Sequence, residues 1–279
     1  VLGTYIINLS DTSLAASVFN TFNGNKTVNI NADTVTTLTG SITDLNTAYT
    51  ASAATGDGIS NLGNEAITLS DTSVTDISAL TTLNGNTTGN INADTVSSFT
   101  GSISDLNTMF ATKAASGDGI SFSSSSGAAD QTVSITDTTD VSVTGLTTLN
   151  GHTTGNIDAS GVTSLASASI SDIKTLLTAG NNHTNNFTST SFNDLATVVV
   201  SDTSVSVADL NDSITQANTA TTNPTNTVFS VSSGATITTG DEAAFTTLLT
   251  NEDNGNIAIT DQNLTVSSGT ISVDLSLIH

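Results

Sequence analysis

Apolar residues in this chain fall in short groups at regular places. Ile67-Thr-Leu69 alternates as a half-buried strand does. Val74, Ile77, Leu80 and Leu83 then follow at the spacing of one helix face. The next stretch reads the same way, with a strand at Asn90-Ile-Asn-Ala93 and a helix carrying Ile103, Leu106, Met109 and Phe110. Ile120-Ser-Phe122 is a further strand. Strand and helix alternating at so short a period predict parallel strands joined by short helices.

The helices announce their starts. Ser41-Ile-Thr-Asp44, Ser73-Val-Thr-Asp76, Ser102-Ile-Ser-Asp105, Ser169-Ile-Ser-Asp172 and Ser206-Val-Ala-Asp209 share one form. A Ser at the N-cap accepts from the amide three residues on, and an acid there faces the positive end of the helix dipole. Asn84-Gly85 and Asn150-Gly151 are expected to stop their helices in a left-handed turn.

The pattern also repeats at longer range. Ser-Asp-Thr-Ser occurs at Asp11, Asp71 and Asp202, with Thr-Asp-Thr-Thr at Asp137, so the steps are 60, 66 and 65 residues. Asn-Ile-Asn-Ala-Asp recurs at Asp33 and Asp94, and as Asn-Ile-Asp-Ala at Asp158. Gly-Asp-Gly-Ile recurs at Asp57 and Asp118. Units of about 60 residues therefore start near positions 5, 66, 132 and 198, each divided into coils of about 20–25 residues. The fold expected is a repeat solenoid, a parallel β-solenoid whose coils carry short helices or β-arcs, with a β-rich C-terminal cap.

Residues 1–215 form the expected repeat region and 216–279 a divergent, strand-rich cap or assembly segment. Pro224, the only proline, sits in an Asn- and Thr-rich linker. A capped helix follows at Thr239–Phe245. The chain then alternates through Leu264 and Val266 to Ile271, Val273, Leu275 and Leu277, as an exposed strand does. Tyr5–Leu9 is strand-like as well. Unpaired strand edges at both ends invite another chain.

Composition narrows the partners. Three Lys and no Arg face 25 acids, a formal charge of -22, so the cationic footprint of a nucleic-acid binder is missing. An anionic membrane surface repels such a chain. No run of about 18 apolar residues is present, and no membrane insertion is expected. High negative charge is better tolerated in saline water, where screening is short-ranged, which suits an extracellular or cell-surface place. Cys is absent, which excludes disulfides and thiolate chemistry.

The segments Ser41–Tyr49, Asn61–Thr72 and Leu80–Asn90 resemble repeat modules of very large surface-associated or secreted proteins of marine cyanobacteria and related bacteria. There, such modules run in long tandem arrays and are described as adhesive or calcium-binding. The resemblance covers roughly residues 1–215. It implies location and architecture, and it offers no catalytic residues to carry over.

No enzyme is expected. His152, His183 and His279 stand in no recurring motif, and phosphate loops and nucleophile elbows are missing. The acids recur in every unit, whereas an active site occurs once. Stacked coils would align Asp11, Asp71, Asp137 and Asp202 in one ladder, and Asp33, Asp94 and Asp158 in another. Each ladder either caps turns and helices or offers hard oxygen ligands to Ca²⁺, the one cofactor considered. The expected function is a structural subunit of an extracellular filament, fibre or surface layer, with a second copy of the chain as partner. The alternative is an adhesin or phage-type fibre module that binds surface glycan. A polysaccharide-degrading β-helix enzyme is the third reading weighed.

Overall fold

The computed structural model describes residues 5–25, 27–53, 58–112, 119–122, 130–182, 186–218 and 226–266. Asp57, Asp118, His183, Pro224, Ile271–Leu277 and His279 lie outside the described residues.

Two compact units divide the chain. The first holds Val1–Ser134 with Gly151–Asn156. In chain order it carries β1 (Ile7–Asn8), β2 (Ser13–Ala15), α1 (Ala16–Gly24), β3 (Ile30–Asn31), β4 (Thr37–Gly40) and α2 (Ile42–Ala53). β5 (Ile59–Ser60), β6 (Ala66–Leu69), β7 (Ser73–Val74), α3 (Ile77–Asn86), β8 (Asn90–Asn92), β9 (Ser98–Gly101), α4 (Ile103–Ala111), β10 (Gly119–Ser121) and β11 (Thr132–Ile135) follow. The second unit holds Ile135–Asn150 and Ile157–His279. After α5 (Val143–His152) come β12 (Ile157–Asp158), α6 (Ile170–Asn182), β13 (Thr197–Val200), β14 (Ser204–Ser206) and α7 (Val207–Asn218). β15 (Val228–Val231), β16 (Thr236–Gly240), α8 (Glu242–Asp253), β17 (Ile257–Ala258) and β18 (Asn263–Val266) complete it.

The expected parallel β-solenoid with helices or arcs and a β-rich cap is corrected by this architecture. The protein is an α/β fold, with eight helices among its described residues and several short, open parallel sheets. The helices are helices, not arcs. Ile103, Leu106, Met109 and Phe110 of α4 are all buried, the pattern of one helix face. The supposed cap contains the twelve-residue α8, and its strands pair parallel with β13 and β14.

The sheets stay short because strands of two to five residues run out of backbone before they can build a wide surface. In the first unit β1, β3 and β5 form one run, and β2, β4, β6, β8 and β10 another. β6 has neighbours on both sides, with Leu38 beside Ile67 and Ile67 beside Ile91. This register builds an apolar ladder, Leu14, Leu38, Ile67, Ile91 and Ile120, whose last four members are buried. The second unit repeats the device with Val198, Phe229 and Ile257. Helices cover these ladders, α1 packing on α2, α2 on α3 and α3 on α4, and separately α6 on α7 and α7 on α8.

Two local expectations are also revised. Ser73 lies in β7, and α3 is capped by Asp76, which accepts from Ala79 N. The Asn-Gly pairs do not stop their helices: α3 runs on to Asn86 and α5 to His152. A tertiary contact holds the extra turn of α3, since Asn86 Nδ2 donates to Asn46 Oδ1 of α2.

Candidate functional site

Aspartates recur along the chain, and the loops of Asp71 and Asp202 are where successive strand–helix coils meet. Asp71 follows β6, which lies beside β4, the strand that leads into α2. Its Oδ2 accepts from the first amide of α2, Ile42 N, at 2.9 Å. In the second unit Asp202 Oδ2 accepts from Ile170 N of α6 at 2.6 Å. Each of these carboxylates thus satisfies an orphan amide, and meets the positive dipole end, of the helix in the preceding coil.

The same helices are capped from within. Ser41 Oγ accepts from Asp44 N at 3.1 Å and donates to Asp44 Oδ2 at 2.9 Å. Ser102 and Asp105 do the same at 3.1 and 2.8 Å, and Ser169 and Asp172 at 3.2 and 2.7 Å. The box acid therefore binds the Ser hydroxyl.

The other predicted aspartates differ. Asp33 and Asp94 are exposed, and their amides donate to Asn31 and Asn92 side chains in tight turns. Asp158 Oδ1 accepts from Ser160 N at 3.0 Å. Asp137 is half-buried, whereas Asp11 is exposed. Among the described residues no three His, Cys, Asp or Glu side chains come together in a group that could hold a metal ion. With three or more oxygen ligands not gathered by the acids themselves, any Ca²⁺ would have to draw on backbone and hydroxyl oxygens.

Hydroxyls and amides complete the joints. Thr34 Oγ1 donates to Leu9 O at 2.8 Å and to Asp11 O at 3.3 Å; Thr95 Oγ1 donates to Leu69 O at 2.9 Å and to Asp71 O at 3.0 Å. Ser60 Oγ donates to Asn29 Oδ1 and Ser121 Oγ to Asn90 Oδ1, at 2.8 and 3.0 Å. Part of the Thr, Ser and Asn content of the chain is thus used in bonds from one coil to the next.

One set of linking residues was missed by sequence reasoning. Four residues after the first residue of the helix, Asn20 of α1 donates to Asp44 O at 2.8 Å and Asn46 of α2 to Ala79 O at 2.9 Å. In α7, Asn211 donates to Ala244 O at 2.8 Å. Lys174 holds the same place in α6 and reaches Asp209 at 2.7 Å and Asp212 at 2.9 Å in α7. These bonds raise the Lys174 ammonium above the usual lysine value, Asp209 more than Asp212. Thr81, Thr147 and Thr246 occupy this place in α3, α5 and α8 and turn back onto their own helices. The signal was present as Ser-x-x-Asp-Leu-Asn at Asn46, Asn107 and Asn211.

Glu65 is a buried exception, fully enclosed before β6. Its Oε2 accepts from Tyr49 Oη and from Gly63 N, both at 2.9 Å, while Oε1 has no partner. Burial, and to a smaller extent Glu65, push the Tyr49 hydroxyl far up. Gln131 holds the matching place before β11 and is buried likewise. Shallow grooves on the helical side are lined by Thr43, Asn46, Thr47 and Thr50 in one unit, and by Ser171, Lys174, Thr175 and Thr178 in the other.

No family model, curated protein or solved structure matches the chain. Among the described residues no helix is long and apolar enough to cross a membrane.

Proposed function

We propose that this chain is a structural module of an extracellular filament, fibre or surface layer, and that it joins like units through its open strand edges. One observation carries the reading. Among the described residues β1 and β2 of the first unit, and β17 and β18 of the second, are each outermost in their sheets and hydrogen-bonded along one side only, as other outermost strands such as β5 and β10 are. Tyr5, Ile6 and Leu264 beside those edges are large apolar residues left exposed. Unpaired edges of this kind template further strands unless charge or a bulge blunts them. Asp71, Asp202, Thr34 and Thr95 support the same reading, because they serve joints between coils. The charge of -22 fits a saline setting outside the cell.

Sedimentation velocity over a wide concentration range tests this. Growth into larger species, suppressed by Ile6→Lys or Leu264→Lys at the edges, supports association through them. A monomer at every concentration sinks it. A second reading, a module that binds surface glycan, draws on two polar grooves between helices, one lined by Thr43, Asn46, Thr47 and Thr50 and the other by Ser171, Lys174, Thr175 and Thr178. It predicts a monomer that is retained on a glycan array, with Thr47→Ala weakening the retention.

A further inference from the structure

The loop after β1 is built like the loop after β6, yet its carboxylate is unused. Leu9-Ser-Asp-Thr12 and Leu69-Ser-Asp-Thr72 are identical. The Thr34 and Thr95 hydroxyls brace the two loops through the same pair of carbonyls. Thr36 N donates to Thr12 O and Ser97 N to Thr72 O, both at 2.9 Å. The conformation that aims Asp71 at an incoming helix is therefore set up again at Asp11.

What the second loop does with it is known. β4 lies beside β6, Ser70 N donates to Gly40 O at 2.9 Å, and Asp71 caps Ile42 of α2. Beyond β1 no such strand lies among the described residues. Asp11 is exposed, and no hydrogen bond to its carboxylate is found among them. Glu65, enclosed by the preceding coil, is 0% exposed, while Tyr5 at the matching place is 66% exposed.

We infer that the β1 edge is a receptor for a strand–helix unit of the β4–α2 kind: a short parallel strand ending in Gly, then a helix that opens Ser-x-x-Asp and whose first amide Asp11 caps. The inference deepens the proposed function and rests on it only in taking this edge as a surface for adding units.

The test puts residues 36–64 of the same sequence in place of residues 1–4, directly in front of Tyr5, reproducing the junction that precedes Glu65. Hydrogen exchange is read at the added copy of the Ile42 amide, with the native Ile42 amide as internal reference. Protection of the added amide is expected, lost roughly fivefold or more on Asp11→Ala, the size of effect a lost cap produces. In the unextended chain Asp11→Ala leaves the melting temperature unchanged. An added segment that stays unprotected, or protection indifferent to Asp11→Ala, overturns the inference. The extended protein gives its answer as a monomer, so failure of filament formation is a separate result.

Discussion

Asp71 Oδ2 sits 2.9 Å from the amide nitrogen of Ile42, a residue 29 positions earlier that opens α2. A side chain from one coil thereby finishes the helix of another. Asp202 and Ile170 repeat the relationship in the second unit. Coil-to-coil fit is enforced at helix starts, where the backbone leaves amides unsatisfied.

The caps differ in worth. Asp71→Ala and Asp202→Ala each remove a half-buried acceptor from the amide of a buried residue, Ile42 or Ile170, and each is expected to cost about 1 kcal/mol. Asp33→Ala and Asp94→Ala alter exposed carboxylates and are expected to stay within about 0.5 kcal/mol of the parent. Urea titrations of the four variants check the ranking.

Two neighbouring glycines should respond in opposite directions. A Cβ on Gly89 would lie 2.2 Å from Glu65 O, a backbone atom, so Gly89→Ala should cost at least about 2 kcal/mol. Gly85 lies inside α3 with open space around it, and Gly85→Ala should stabilise by about 0.5 kcal/mol. Thermal unfolding of the two proteins distinguishes them at once.

Glu65 and Tyr49 can be separated in the same way. Tyr49→Phe takes a donor from a fully buried carboxylate and should cost about 1–3 kcal/mol. Glu65→Gln keeps acceptors for Tyr49 and Gly63 and removes a buried charge, as Gln131 does in the following repeat. Its stability should match or exceed the parent. The double variant should be less than additive, which a double-mutant cycle measures.

The pH limbs follow from two shifted groups. Donation from Ser78, then from Ala79 N, holds the Asp76 carboxyl below its ordinary range. Its contribution is complete above the unfolded value and lost as pH falls through the lower folded one. Lys174 is raised, so its contribution is complete below the unfolded lysine value and lost as pH rises through the folded one. Both groups are accessible to solvent, so each effect should stay under about 1 kcal/mol. Asp76→Ala should differ from the parent at neutral pH and converge with it in strong acid. Lys174→Met should converge with it in strong alkali.

Much of the local structure was legible in the sequence. Ser41, Ser102 and Ser169 cap the helices that their boxes announce, and the apolar spacing of Ile103 to Phe110 marks the face that is buried. What escaped depends on neighbours in space. Ser73 and Asp76 both qualify as caps, and pairing of β7 with β9 draws Ser73 into a strand. Asn84-Gly85 carries a stop signal that the contact from Asn86 to Asn46 overrides. The expected solenoid gave way to separate sheets at β6, which pairs with β4 on one side and β8 on the other, a neighbour relation in space that the apolar spacing does not carry. The Asp ladders were seen as a pattern, but the partner of Asp71 lies a whole coil away. Repetition alone does not tell a helix cap from a metal ligand.

Negative-stain electron microscopy of the purified chain, in parallel samples with calcium and with chelator, tests the structural reading most directly. Regular filaments or sheets are predicted, and dependence on calcium would add a metal to the joints between copies. Dispersed single particles under both conditions would contradict self-association as the function.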